Sequence, residues 1–94
     1  MRKTLKLGDQ CGAVAVLQGI LTVRNIMRDG QTTLDDRFES GTQQGVKEVQ
    51  AYAIGRGFKG IQVMGELDQP TIAAILLYLG VDLESLPDAF WPTA

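Results

Sequence analysis

The chain has no histidine and only one cysteine, Cys11, among its 94 residues. Without histidine, the usual Ser–His and Cys–His nucleophile pairs and the histidine-based metal sites cannot be assembled. A lone cysteine also excludes an intrachain disulfide, so the sequence carries no disulfide evidence for an oxidising compartment. A glycosidase needs two carboxyl groups facing each other across a cleft, and a chain this short has little stability to spare for one. We therefore expect a protein that is not an enzyme and that uses no cofactor and no metal.

An excess of positive charge and long apolar runs are also missing. Nine basic and eleven acidic residues give a net charge of -2, without a dense Lys/Arg run, so we expect no nucleic-acid partner. The longest apolar stretch, residues 72–81, is about half the length of a membrane-spanning helix, and no signal-peptide core is recognisable. We expect no membrane insertion. The sequence leaves the location open between the cytoplasm, a virion and a larger exported protein.

Hydrophobic residues, at 45% of the chain, are sufficient for one folded domain. Their periodicity predicts a first helix at about residues 13–23. Its buried stripe consists of Val14, Leu17 and Leu21. Gly19 interrupts this helix at a cost of about 1 kcal/mol relative to alanine, and we expect a close helix crossing to explain it. Residues 24–37 read as a polar loop that Leu34 and Phe38 pin to the core.

The second helix is predicted to begin at Ser40 or Thr42 and to run to about Ile54. A hydroxyl at its start could accept hydrogen bonds from the free N–H groups of the first turn. Its buried positions are Val46, Val49 and Ala53. Gly55 and the glycines after it end the helix and open a connection to Gly65.

The third helix is predicted to begin near residues 68–71, because Pro70 fits a first turn, where its missing N–H is not needed. Its apolar stripe consists of Ile72, Ile75, Leu76 and Leu79. Gly80 is a suitable C-terminal stop. These segments predict an all-α fold: a small three-helix bundle with long loops.

The tail that follows can be placed in two ways. We divide the chain into a three-helix domain at residues 1–80 and a C-terminal tail at residues 81–94. Phe90 and Trp91 in this tail either pack back on the bundle as a strap or remain available as anchors for a protein partner.

An internal repeat links the first two helices. The pattern Val14-x-x-Leu17-Gln18 recurs as Val46-x-x-Val49-Gln50, 32 positions later. Each copy is a turn followed by a helix with equivalent inward positions, which suggests a duplicated helical unit. Because each glutamine follows a buried residue, we expect both side chains to bond loop backbone.

Three motifs follow one another in a fixed order. A Leu-x-x-Gly-Asp turn at residues 5–9 precedes the Val-x-x-Leu-Gln helix at residues 14–18. The second motif consists of Asp35, Phe38, Thr42, Gly45, Val46, Val49 and Gln50. The third consists of Gly65, Thr71, Ala74 and Leu76. With these motifs and this spacing, roughly residues 5–79 resemble the bacterial and phage peptidoglycan-binding domain family.

The resemblance implies a three-helix fold in which Phe38 anchors its loop in the core. Cys11, Asp36 and Glu39 stand where the family has glycine, and residues 68–69 stand where it has Gly-Pro. Since aspartate tolerates left-handed backbone geometry better than most residues, we expect Asp36 to preserve its turn.

By the same resemblance, the chain would bind peptidoglycan in a shallow groove formed by the second helix and the loop before it. The candidate ligand-binding residues are Arg37, Thr42, Gln43, Lys47, Gln50 and Tyr52. The function would be non-catalytic anchoring to the bacterial cell wall, in a phage or lysis-associated component. The alternative is a protein–protein interaction module that keeps the fold without wall binding, with Phe90 and Trp91 as its anchors. The expected partner is thus peptidoglycan or a protein, and the sequence does not indicate an oligomeric state.

Overall fold

The structure, a computed structural model, describes residues 4–24 and 35–92. It contains three α-helices: α1 at Gly12–Val23, α2 at Ser40–Gly55 and α3 at Gln69–Leu79. The predicted all-α three-helix bundle is confirmed, and each helix begins or ends within a residue or two of its predicted boundary. The described residues form isolated antiparallel bridges, Leu5 with Leu67 and Gln10 with Arg37, and no strand. The expectation for Leu34 lies outside the described residues.

One hydrophobic core lies between the three helices, the N-terminal segment and the tail. Its fully buried side chains include Leu5, Leu17, Leu21, Phe38, Val46, Leu67, Ile75 and Leu83. Phe38 is 0% exposed, which confirms that it anchors its loop. Burying a large apolar side chain of this kind stabilises a fold by roughly 1.5–3 kcal/mol, so the loop before α2 is tied firmly to the bundle.

The helix ends differ in how their free backbone groups are satisfied. At α3, the Asp68 carboxylate accepts a hydrogen bond from the Thr71 amide, and Gly80 ends the helix in a left-handed conformation with φ 76°. At α2, by contrast, Glu39 is the N-cap residue and makes no side-chain capping bond. The predicted start at Ser40 is correct, but the predicted hydroxyl cap is wrong, because the Thr42 hydroxyl accepts from Gln18 instead.

The expected helix crossing at Gly19 is wrong. Among the described residues, nothing lies within 4 Å of a Cβ atom built on Gly19, so neither α2 nor α3 crosses α1 closely at this position. A close approach occurs instead at Gly12, where an added Cβ would lie 2.9 Å from Cδ2 of Phe90. The glycine that packing requires is therefore at the beginning of α1, and not in its middle.

The tail packs on the bundle over the part of it that is described. It forms two short 3-10 helices, Leu83–Ser85 and Asp88–Phe90. Leu83 is 0% and Trp91 3% exposed, both inside the same buried cluster as the helices, and Phe90 packs against that cluster. Of the two placements that the sequence left open, the strap on the bundle is the one observed for Trp91.

Candidate functional site

The Gln18 side chain holds the segment before α2 through its amide. Its Oε1 accepts hydrogen bonds from the backbone amides of Asp35 (3.1 Å) and Asp36 (3.2 Å). Its Nε2 lies 3.0 Å from both the Arg37 carbonyl oxygen and the Thr42 hydroxyl, and donates to them. Gln18 is 1% exposed, so these bonds satisfy backbone groups that would otherwise be costly to bury.

Gln50 makes the equivalent hydrogen bonds in the second copy of the internal repeat. Its Oε1 accepts from the Gly65 amide at 2.8 Å, and its Nε2 donates to the carbonyl oxygens of Val63 and Glu66, both at 3.0 Å. It also donates to the Thr71 hydroxyl at 2.9 Å. We call Gln18 with Thr42 and Gln50 with Thr71 the two glutamine clamps. They confirm the expectation that both glutamines bond loop backbone.

The clamps remove two residues from the predicted ligand-binding set. Thr42 is 3% and Gln50 0% exposed, and the polar atoms of both are engaged in a clamp. In this conformation a ligand on the surface cannot contact them. Sequence position had suggested that the polar residues of α2 line a groove, but these two lie on the buried side of the helix, where a polar group is kept only with partners.

The remaining α2 candidates lie on different flanks of the helix. The side chains of Gln43 and Lys47 rest on the Gly65 turn, since a Cβ built on Gly65 would lie 3.1 Å from a carbon of each. Tyr52 follows Lys47 by five residues, which is a rotation of about 140° around an α-helix. Arg37 is exposed in the loop before α2. The six residues therefore do not line one groove.

Tyr52 instead belongs to an aromatic cluster at the end of α2. Its ring centroid lies 5.5 Å from that of Tyr78 in α3, at an interplanar angle of 84°. Phe58, from the connection after α2, lies 6.3 Å from Tyr78. The Arg56 guanidinium carbon is 4.9 Å from the Tyr52 ring centroid, within the range of a cation–π contact. We call Tyr52, Arg56, Phe58 and Tyr78 the aromatic patch.

The aromatic patch lies outside the core. Tyr52 is 51% exposed, and Phe58 and Tyr78 are partly exposed. Six aromatic residues occur in the chain, so half of them are gathered here, away from the buried cluster. Exposed aromatic side chains grouped with arginine are typical of binding surfaces. Sequence reasoning found Tyr52 but missed the other three, although the i, i+4 spacing of Tyr52 and Arg56 was a usable signal.

A shallow apolar groove of about 320 Å³ lies between α1 and α3. It is lined by Gly19, Ile20, Val23, Arg24, Leu79 and Val81. The Arg24 guanidinium donates a hydrogen bond to the Leu79 carbonyl oxygen at 2.9 Å. It thus pairs one of the carbonyl groups that have no partner within the helix at the C-terminal end of α3. The groove lining offers no carboxylate or nucleophile for chemistry.

Comparison with known proteins gives no assignment: no family model, no curated protein and no solved structure matches the chain. Within residues 4–24 and 35–92, no group of three or more His, Cys, Asp or Glu side chains is arranged to hold a metal ion. No helix in this part of the chain has both the length and the hydropathy to cross a membrane.

Proposed function

We propose that the chain is a non-catalytic module that binds bacterial peptidoglycan through the aromatic patch. The observation that carries this proposal is the exposed grouping of Tyr52, Phe58 and Tyr78 with Arg56. A sugar ring presents apolar C–H groups on its faces and hydroxyl groups on its edges. Aromatic rings offer a matching apolar surface, and the tyrosine hydroxyls and the guanidinium offer polar groups beside it.

The sequence resemblance supports the same function. The glutamines and threonines of its motifs form the two clamps, which gives these residues a structural reason to occur at this spacing. We propose no catalysis, because the chain has no histidine and the buried amides of Gln18 and Gln50 are hydrogen-bonded to loop backbone.

Co-sedimentation with purified peptidoglycan sacculi at low salt tests the proposal. The protein should pellet with sacculi, and Tyr52→Ala should weaken binding about tenfold, or about 1.4 kcal/mol. Tyr52→Phe keeps the ring and loses only the hydroxyl group, so it should weaken binding less than Tyr52→Ala does. Ile54→Ala is a matched control, because Ile54 is similarly exposed at 46% but lies about 200° further around α2.

The outcomes separate the function from its site. If the unchanged protein stays in the supernatant at low salt, wall binding is contradicted. If it pellets but Tyr52→Ala pellets equally well, the protein binds sacculi through another surface. If Ile54→Ala loses as much binding as Tyr52→Ala, the patch has no specific role.

A second candidate is a protein–protein interaction module. The tail no longer favours it, because Trp91 is buried. The outer face of α3 does, since Leu76 and Leu77 are 46% and 65% exposed there. Exposed apolar side chains that adjoin one another on a helix are typical of protein contact surfaces.

A further inference from the structure

Helices α1 and α2 are each followed by an arginine, but the two side chains have different partners. Arg24 and Arg56 are the C-cap residues of these helices, and they are 32 positions apart, which is the spacing of the internal repeat. The Arg24 guanidinium donates to the Leu79 carbonyl oxygen, so it has a structural role. Within the described residues, the Arg56 side chain makes neither a hydrogen bond nor an ion pair. Its N–H donors therefore remain available for a ligand.

The Tyr52 ring holds the Arg56 guanidinium at the surface. The central carbon of the guanidinium lies over the ring, 4.9 Å from its centroid, and both side chains are exposed. A cation–π contact uses the face of the guanidinium, whereas the N–H donors point outward in its plane. Because this contact restricts the long side chain before a ligand binds, less conformational entropy is lost on binding. Arg56 thus presents a fork of donors that suits a carboxylate.

The positions that form the aromatic patch are locally basic, although the net charge of the chain is -2. From position 49 to position 65 the only charged residues are Arg56 and Lys59, and both are exposed. Helix α3, which contributes Tyr78, carries no charged residue. Arg24 adds a third cation at the C-terminal end of that helix. Since cations lower the energy of an anion bound near them, the patch favours an anionic ligand.

The acidic residues nearest to the patch along the chain leave Arg56 unneutralised. Glu48 precedes Arg56 by eight residues, which is about 12 Å along a helix. Glu66 and Asp68 precede α3, whereas the patch includes a tyrosine of its last turn. Asp82 caps the 3-10 helix that follows α3. In the part of the chain that the structure describes, none of these four carboxylates pairs with Arg56.

We infer that Arg56 binds a carboxylate of the peptide stems of peptidoglycan, while the aromatic rings beside it bind the sugar. The inference rests on the proposed function and adds which part of the polymer is recognised. The sugars of the intact polymer are neutral N-acetylated rings, whereas its stem peptides carry free carboxylates. Aromatic faces bind neutral sugars of many kinds. An arginine beside them favours a glycan that also carries a carboxylate, because a neutral glycan cannot pair with the guanidinium.

Titrations with two forms of one ligand test the inference. The ligand is a soluble disaccharide–peptide fragment of peptidoglycan, either with its carboxylates free or with the same groups converted to methyl esters. NMR titration at low salt gives a dissociation constant for each form. The unchanged protein should bind the carboxylate form about fivefold more tightly, as expected for one exposed guanidinium–carboxylate pair. The fragment contains no phosphate, so the phosphates of other wall polymers cannot produce this difference.

Substitutions of Arg56 should change the preference without abolishing binding. Arg56→Gln should bind both forms with the affinity that the unchanged protein has for the ester, and the retained ester binding shows that the patch is still folded. Arg56→Lys keeps the charge but loses the planar fork, so it should keep only part of the preference. Lys6→Gln is the matched control, because it removes one exposed cation next to Leu5, which pairs with Leu67 before α3 begins. This control should keep the full preference.

Four results would contradict the inference while leaving peptidoglycan binding intact. The first is a preference below about twofold in the unchanged protein. The second is a full preference in Arg56→Gln, since another cation would then bind the carboxylate. The third is weaker ester binding in that variant, because the guanidinium would then act through the Tyr52 ring. The fourth is an equal loss of preference in Lys6→Gln. If the unchanged protein binds neither form at millimolar fragment, the proposed function is contradicted together with the inference.

Discussion

Two buried amide side chains determine how the loops of this protein are held. Each glutamine clamp connects one helix to the loop before the next and to a threonine in the first turn of that helix. The described parts of these loops, residues 35–39 and 56–68, contain no strand or helix. Isolated bridges pair only some of their backbone groups, and the two amides pair others. Glutamine suits the position because it offers both a donor and an acceptor.

Gln50→Leu tests the clamp at the residue scale. Leucine has a similar size but leaves the Gly65 amide and two loop carbonyl groups without their partner. Since each unsatisfied buried group costs roughly 1–3 kcal/mol, we expect the free energy of unfolding to fall by about 3 kcal/mol in urea titrations at low protein concentration. Gln44→Leu makes the same chemical change at an exposed site of α2 and should stay within about 0.5 kcal/mol. Equal stability of both variants would show that the clamp is not stabilising.

The backbone conformation of Asp36 could be predicted from the sequence. Its φ of 59° confirms the expectation that it keeps a turn where the resembling family has glycine. Left-handed tolerance is a property of the residue itself, so sequence alone could reveal it. The partner of the Thr42 hydroxyl could not be read in the same way, because Gln18 reaches it from another helix.

At the scale of elements, the apolar stripes located all three helices. The stripes repeat clearly, and Asp68 and Gly80 mark the ends of α3 by local chemistry. The predicted helix crossing at Gly19 is wrong because a glycine inside a helix has two possible explanations. Either a neighbour packs closely against it, or the helix is stable enough to contain a glycine without such a neighbour. Only the surroundings of the residue distinguish these cases, and they belong to tertiary structure.

Two glycine substitutions in α1 should have opposite effects. Gly19→Ala removes the cost of glycine in a helix, and the new Cβ atom meets no neighbour in the part of the chain that the structure describes. It should therefore raise the free energy of unfolding by up to about 1 kcal/mol. In Gly12→Ala, the new Cβ atom would lie 2.9 Å from Cδ2 of Phe90, so the ring must move. This substitution should lower the free energy of unfolding by roughly 1–3 kcal/mol. Thermal melts of both variants compare them directly. A stabilising Gly12→Ala would contradict the packing of Phe90 against α1.

At the scale of the whole molecule, the tail completes the core. Leu83 and Trp91 join the cluster that contains Leu17 and Ile75, so the sequence boundary at residue 80 does not mark the end of the packed unit. The sequence left this open because contacts of such long range carry no periodic signal. Apolar residues among prolines can pack inward or remain outside.

One part of the candidate site could be predicted from the sequence, and another part could not. The rotation of about 140° between Lys47 and Tyr52 follows from helix geometry alone, so the separation of the two flanks was available from the sequence. The aromatic patch was not, because Phe58 and Tyr78 join Tyr52 from other elements. The resemblance predicts a binding module, and the tertiary structure brings together the aromatic side chains through which we propose that it binds.

The most direct test of peptidoglycan binding is an NMR titration of the isotope-labelled protein with soluble disaccharide–peptide fragments of peptidoglycan. The account predicts saturable shifts centred on Tyr52, Arg56, Phe58 and Tyr78, the residues of the aromatic patch. The buried clamp residue Gln50 should shift little. Absence of any shift at millimolar fragment, or shifts confined to Leu76 and Leu77 on α3, would contradict the account.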